Sequence, residues 1–388
     1  MSSSFWSSNQ MGTFSHDIVT EVLIIGGGYA GLSTAFWLTE LRPNLKVTIL
    51  ERLTCGSGAS GKNAGFLTIG SAAFYYNLVN RWGVEKASGV EAFASHSVKL
   101  LYESILKFHP EIKFERSSSV TLIKNQDFIE SWKTNNFIPE DFHFTWKSSQ
   151  ELPDSLKSVY TGGYEAYLEF KVNPLLLLNS IRGILTLRGV DFIENEAGFE
   201  ITKTGVKTNR RLIKPQKVIL ALNGYSSQFH PAFQNLVFPK RAQMLSARIE
   251  GDFNCPDVYY DPAEKVYWRM NHQQEIIIGG KRTLDESGEV GEYEKVTPLI
   301  QKALEQYLDK LGLKYHVTHR WAGVMGFTDH ELPIIDKVSS PLETYFIGGF
   351  SGHGMGLGFL SGKEMAQVSL GIKEESFFHQ FKQVDSAI

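Results

Sequence analysis

The stretch TEVLIIGGGYAGLSTA, residues 20–35, decides the fold. Thr20 to Gly26 is a short apolar run rich in β-branched side chains and closed by glycine, the pattern of a strand buried on both faces of a parallel sheet. From Tyr29 to Leu41 the residues Ala30, Leu32, Ala35, Phe36 and Leu38 suit a helix, which Pro43 stops. Lys46 to Glu51 (KVTILE) reads as a second strand, so a β-α-β unit occupies about 32 residues. Gly26, Gly28 and Gly31 form G-x-G-x-x-G at the turn between strand and helix. Gly26 permits the tight turn, Gly28 lets backbone N–H groups approach a pyrophosphate, and Gly31 lets helix and strand pack closely. The helix N-terminus adds partial positive charge for the diphosphate. Glu51 follows Gly31 by 20 residues and ends the second strand, where its carboxylate can accept from ribose hydroxyls. The implied ligand is an adenine dinucleotide, with FAD and NAD both compatible with this motif.

Outward from that unit, the chain has 388 residues, 39 Lys+Arg against 42 Asp+Glu and 42% hydrophobic side chains, which places it among globular proteins of two or three domains. A formal net charge of -3 offers no concentrated basic surface for nucleic acid or anionic membrane. Cys55 and Cys255 are the only cysteines, which excludes a disulfide framework or a thiolate zinc cluster and suits a reducing, cytoplasmic setting. The start, MSSSFWSSNQMGTF, lacks the charged and apolar blocks of a secretory signal and reads as a flexible arm over residues 1–17. No run of 18 uncharged apolar residues suggests a membrane span. Without repeats, low-complexity tracts or an obvious linker, the domains are expected to interleave.

Further along, Asn173 and Pro174 supply an N-cap and first helical residue for LLLLNSIRGILTLR, which Gly189 ends before a strand at Val190 to Ile193. Gln216 to Leu222 and Tyr345 to Gly348 read as buried strands, the latter leading through GFSGHGMGLGF into a helix to about Leu370. Gln243 to Ile249, Lys265 to Met270, Glu275 to Gly280 and Tyr315 to Ala322 alternate in the antiparallel manner. The expected fold class is α/β with an α+β part: a Rossmann-like domain on a central parallel sheet and a substrate domain on an antiparallel sheet.

A second small-residue loop, GSGASGKNAG at 56–65, follows the acidic residue at once. With it the sequence resembles the D-amino-acid oxidase-like (DAO) family of FAD enzymes, the group of glycine, sarcosine and γ-glutamylputrescine oxidases, most of all the last type. The resemblance extends through Trp6, GGGYAGLSTA (26–35), the NP helix after Phe170, ALNGYSS (221–227), YWRMNHQQEIIIGG (267–280), HRWAG to ELPIID (319–336) and GGFSGHGMG (348–356). It implies FAD, and an FAD-binding domain assembled here from 18–90, 167–232 and 327–388, with 91–166 and 233–326 as the substrate domain. Position by position it implies diphosphate contacts at Gly26, Gly28, Ala30 and Gly31, ribose contacts at Glu51 and Arg52, and a diphosphate-to-flavin lining of Gly58, Ala59, Ser60, Gly61, Lys62, Asn63 and Gly65. Asn223 and Gly224 join that lining, and Gly349, Phe350, Ser351, Gly352, His353, Gly354 and Met355 would lie against the isoalloxazine, with His353 a candidate participant in catalysis.

The reaction so implied is hydride transfer from an amine's α carbon to flavin N5, giving an imine that hydrolyses, with oxygen or a quinone as electron acceptor. Three departures narrow it. The position of the flavin-linking cysteine of sarcosine oxidase falls on Gly323, so FAD is expected to be non-covalent. The carboxylate-clamping arginine of glycine and D-amino-acid oxidases falls on Met325, and the lysine of sarcosine oxidase on Gly356. A carboxylate buried without a cationic partner is costly, so either the donor is an amine or its carboxylate is held elsewhere. Arg269, His272, Lys281 and Arg282 are the candidate replacements, Lys281 being expected to face the donor and to act on substrate or oxygen through its charge. Two other functions fit the same family: oxidation of an aminomethyl group on tRNA uridine, disfavoured by the charge of -3, and a non-catalytic flavoprotein subunit, disfavoured by the intact loops. Neither Ser60 nor Ser351 sits in a G-x-S-x-G elbow, and His316 with His319 lacks the spacing of a metal pair, so no hydrolase and no metal are implied.

Overall fold

A computed structural model describes residues 17–124, 144–229 and 231–381. Trp6 and all of the expected N-terminal arm except Asp17 lie outside them. The first sheet is built on β1 (Ile18–Ile25), β2 (Val47–Leu50), β7 (Asp191–Ile193), β10 (Leu212–Leu220), β16 (Ile334–Val338) and β17 (Glu343–Gly348), in the order β16-β17-β10-β1-β2-β7. β17, β10, β1, β2 and β7 run parallel, β16 is antiparallel, and β8 (Gly198–Thr202) with β9 (Gly205–Thr208) extends β10. The continuous apolar run of β1 is explained by two cores. Val22 and Ile24 pack into the helical layer, and Leu23 and Ile25 pack with Val206, Ile213 and Phe346 on the other face.

That helical layer is α1 (Tyr29–Leu41), α3 (Ala72–Trp82), α4 (Val84–Ser104), α5 (Pro174–Leu187) and α7 (Gly354–Ser369), with the single turn α2 (Ala59–Lys62) between α1 and α3. α5 begins as its residues dictate, the Asn173 side chain accepting from the N–H groups of Leu175 and Leu176 ahead of Pro174. α1 and α7 cross closely because glycine stands at the contact. A Cβ at Gly358 would lie 2.8 Å from the Tyr29 ring and one at Gly362 2.6 Å from Ser33 Cβ.

The second sheet holds β3 (Phe66–Leu67), β4 (Glu115–Ile123), β5 (Phe144–Ser148), β6 (Gly162–Lys171), β11 (Phe238–Ile249), β12 (Val258–Asp261), β13 (Val266–Met270), β14 (Glu275–Gly280) and β15 (Tyr315–Phe327). Its order is β15-β11-β14-β13-β12-β4-β6-β3, with β5 beside β6, and only the β12–β4 pair is parallel. One face is covered by α6 (Pro298–Lys310), whose Ile300, Leu304, Tyr307 and Leu308 share a core with Leu245, Trp268, Ile276 and Ile278. Alternate residues, Met244, Tyr267, Gly279, Gly323 and Met325, occupy the opposite face. No helix among the described residues is long and apolar enough to cross a membrane.

The strand pairing departs from the expected division of the chain. The boundary at 166/167 cuts β6, which pairs along both halves with β4. β3 lies inside the first expected FAD stretch yet joins the second sheet. The boundary at 90/91 cuts α4, whose Val90, Phe93, Ala94, Val98 and Leu101 belong to the helical core of the first sheet. The chain passes between the sheets through the segment that carries α2 and through α5, while β3 and β6 lie wholly in the second sheet.

Candidate dinucleotide and substrate site

Chain geometry at the first turn leaves no room for side chains. Gly26 has φ +116 and its Cβ would meet Ala221 O at 2.4 Å, while a Cβ at Gly31 would lie 2.0 Å from Gly26 O. Gly28 is the extended N-cap of α1 and offers no side-chain cap, so the first N–H groups of the helix point out of the turn. The Tyr29 N–H finds the Ser60 hydroxyl oxygen at 2.9 Å, an oxygen from the second loop standing where an anion would stand. Glu51 directly follows β2, its carboxylate accepting from Gly27 N–H at 2.9 Å and Leu53 N–H at 3.0 Å. Arg52 stacks its guanidinium 4.0 Å from the Tyr225 ring centre and donates to Gln228.

In the second loop a Cβ at Gly58 would meet nothing within 4 Å, and one at Gly28 only the Ser60 side chain. The two bare backbones, a helix end whose N-cap has no side chain and whose first N–H meets only the Ser60 hydroxyl, and a carboxylate at Glu51 with ribose-binding capacity together fit the dinucleotide of FAD. Beyond the cradle α2 turns the chain. The Asn63 side chain donates to Ser60 O at 2.7 Å and accepts from Gly65 N–H at 2.7 Å. Gly65, at φ +74, passes so close to Val172 O that a Cβ would lie 2.1 Å away. Lys62 ion-pairs with Glu294 at 2.5 Å, and its carbonyl accepts from the Trp321 indole at 2.8 Å. Ala59 and Lys62 face Gly323, where a Cβ would be 3.7 Å and 3.2 Å from them.

The third loop is coiled by Gly349 (φ +73), Ser351 (φ +50) and Gly352 (φ +92). Asn223 accepts from Gly349 N–H at 3.0 Å, Ser351 N–H donates to Gly326 O at 2.9 Å, and Thr328 N–H donates to the Ser351 hydroxyl at 3.2 Å. Gly224 packs on the Met325 carbonyl, Gly352 lies opposite Met325 Sδ, and Gly354 rests on the buried Phe350. Thus 26–31, 56–65, 223–224, 323–326 and 349–354 converge, although they are scattered through the sequence. Met355, half-buried, packs on the helical core, and His353 forms the N-cap of α7 without capping it. The His353 ring stacks on Phe74 with centres 3.6 Å apart, and burial pulls its imidazole down to about 4, so it is neutral near pH 7.

The cations distribute differently from expectation. Arg269 shares the site face with Tyr267 but donates to Ala64 O at 2.6 Å and Val172 O at 3.0 Å, and burial lowers its guanidinium to about 10. It is a strut between β13 and the second loop. Lys281, expected to face the donor, instead ion-pairs with Glu264 near Lys310 and the Tyr307 ring, on the α6 face of the sheet. The Lys281 hydrogen bond leads the causes that hold the Glu264 carboxyl down to about 2. The turn after Gly280 puts Lys281 at φ +61 and aims it away from the cradle. His272 is exposed and paired with Glu115. Cys55 packs against Gly27 at the diphosphate end and Cys255 lies in the α6 core, so neither stands beside Gly323.

Several neighbours escaped the sequence reading. Tyr267 donates to Met244 Sδ at 3.3 Å and meets Phe66 edge to face. Its alternation with buried Trp268 was the available signal. Glu294 also accepts from Tyr225 at 2.8 Å, and Glu292 from Ser227 at 3.0 Å, contacts that no local pattern announces.

Comparison with known proteins follows from this geometry. The family model DAO, FAD dependent oxidoreductase, matches residues 21–368. The chain is 24% identical over 375 residues to the probable oxidoreductase OrdL of Rhizobium meliloti (strain 1021), covering 92% of this chain and 84% of that protein. It is 22% identical over 382 residues to the gamma-glutamylputrescine oxidoreductase of Escherichia coli (strain K12), covering 93% and 86%. Among solved structures, glycine oxidase from Geobacillus kaustophilus shares the fold with a TM-score of 0.75 at 17% identity, over 95% of this chain and 99% of that one. Iminodiacetate oxidase from Chelativorans sp. BNC1 gives 0.74 at 17%, over 93% and 98%.

Proposed function

The chain belongs to the DAO family of FAD-dependent oxidoreductases, and on that premise we propose that it oxidises the C–N bond of a small amine or amino acid to an imine that hydrolyses. The observation that supports the reading is the meeting of three glycine loops: the second packs on the first at the start of α1, and the third is joined to Asn223 and to β15, beside a wall of side chains from the second sheet. FAD, when bound, supplies the acceptor for the hydride that leaves the carbon bearing nitrogen. The backbone at Gly28 and Gly58 would hold its diphosphate and Glu51 its ribose. The loop 349–354, ending at the start of α7, would direct N–H groups and a positive helix end toward the flavin edge.

The wall formed by Tyr267, Met244, Gly323 and Met325 would position the donor carbon and exclude water from it. No acid–base pair is required if the amine binds as the free base, and neutral His353, stacked on Phe74, serves to hold the loop in shape. The names glycine oxidase, iminodiacetate oxidase and gamma-glutamylputrescine oxidoreductase, borne by similar proteins, support an amine or amino acid donor. The test is to incubate FAD-loaded protein with a panel of amines and amino acids, with oxygen or an artificial acceptor, and to identify products by mass spectrometry. The reading expects a carbonyl product and released amine or ammonia from at least one donor; products from none of them would overturn it.

A further inference from the structure

Five of the seven methionines lie within the described residues: Met244, Met270, Met325, Met355 and Met365. Their thioethers are not equally guarded. Met270 and Met365 sit in the cores, 8% and 0% exposed. Met244 is buried and its Sδ is engaged by the Tyr267 hydroxyl, which donates to it at 3.3 Å. Met355 is half-buried and packs on the helical core. Met325 is half-buried too, yet it belongs to none of the three cores, and among the described residues no donor reaches its sulfur.

Met325 stands in the seam between the sheets. Its carbonyl lies against Gly224, where a Cβ would be 2.9 Å away, and its Sδ has the bare backbone of Gly352 for a neighbour, 3.9 Å from where a Cβ would be. The next residue, Gly326, accepts from Ser351 N–H at 2.9 Å, so β15 carries Met325 directly against the third loop. That loop runs into α7, and the N-cap His353 lends no side chain to the first N–H groups of the helix.

A thioether is oxidised at its sulfur lone pair, and an accessible, unengaged sulfur reacts ahead of a buried one. With oxygen as electron acceptor, the two electrons taken from the donor leave the site as hydrogen peroxide. The Sδ lone pair then takes one peroxide oxygen: the O–O bond breaks, an S–O bond forms, and the proton of the transferred oxygen passes to the leaving one, which departs as water. Sulfur loses two electrons and peroxide gains them. The sulfoxide oxygen is a strong acceptor on a chain that was apolar. Beside Gly352 it competes for N–H groups of the third loop and of the α7 start that would otherwise meet the flavin edge.

We propose that Met325 is a peroxide-sensitive modification site, whose conversion to the sulfoxide loosens the cofactor and turns the enzyme down. This rests on the reading above with oxygen as the acceptor, and it names a regulation of that same site.

The experiment treats FAD-loaded protein with graded hydrogen peroxide and no donor, maps oxidised peptides by mass spectrometry, and follows FAD release after dilution by its fluorescence. Among the five methionines, Met325 is expected to gain oxygen first, ahead of Met355 and well ahead of Met244, Met270 and Met365. FAD release is expected to quicken at least about threefold, in step with the fraction of Met325 oxidised, and methionine sulfoxide reductases with a thiol are expected to reverse both changes. Met325→Leu, compared before and after peroxide, should lose the response, and Met355→Leu should keep it. Met325→Gln, a polar chain of similar length, should quicken release without peroxide. Oxidation of any of the other four ahead of Met325, release that does not follow the Met325 sulfoxide, or a response that survives in Met325→Leu would overturn the proposal. If Met325→Leu held no FAD, the order of oxidation and its coupling to release in the unsubstituted protein would decide alone. Because the peroxide is added and nothing is turned over, failure of every donor to react would strike the oxidation reading and leave this result to be judged separately.

Discussion

His353 shows how one residue's surroundings set its chemistry. Its half-buried ring is stacked on Phe74, and desolvation brings its folded value to about 4, below the ordinary 6.5; His330, also half-buried, is lowered to about 4 by desolvation and then by the Arg81 charge. The unfolded chain therefore takes up these protons first. Each histidine contributes its full stability above pH 6.5 and loses it as pH falls toward 4. Thermal melts across that window should show a shallower loss of midpoint in His353→Phe than in the parent protein; identical slopes would show that the ring is not buried as described. What was legible at this scale is local. Gly26, Gly28, Gly31 and Glu51 lie within one β-α-β unit, and their spacing alone encodes the turn. Arg269 and Lys281 were not legible because their partners, Ala64, Val172 and Glu264, reach them only through strand pairing and a positive-φ turn.

Among the elements, the segment 282–297 between β14 and α6 behaves as a strap. Buried Glu289 anchors it to Arg241 and Gln243 of β11, while Glu292 and Glu294 reach across to Ser227, Tyr225 and Lys62. Tyr225 carries the stacked Arg52 and Lys62 belongs to the second loop, so the strap closes over both ends of the proposed FAD groove. The Lys62–Glu294 pair is about 30% exposed on each side, and such pairs contribute about 0–1 kcal/mol. Glu294→Gln should accordingly speed release of FAD by up to about fivefold, read as fluorescence recovered after dilution; an unchanged release rate would remove the strap from cofactor retention. Helices with caps and glycine stops were readable from sequence, α5 from Asn173 and Pro174 above all. The crossing of β6 and β3 into the second sheet was not, because pairing register is a long-range property.

On the scale of the whole molecule, the two sheets are held together where the site lies. Arg269 ties β13 to residues 64 and 172, Trp321 ties β15 to Lys62, and Ser351 ties the third loop to Gly326. Binding of a dinucleotide along these seams would couple cofactor retention to the stability of both lobes. With Gly323 where a linking cysteine would stand, and both cysteines elsewhere, the cofactor is proposed to be held without a covalent bond. The central claim is that this scaffold holds FAD for reduction by an amine, and its most direct test is the visible spectrum of the purified protein before and after anaerobic addition of amine or amino acid donors. The account predicts a flavin band that at least one donor bleaches and that acid precipitation releases to the supernatant. A protein that stays colourless after incubation with FAD, or a bound flavin that none of the donors bleaches, would contradict it.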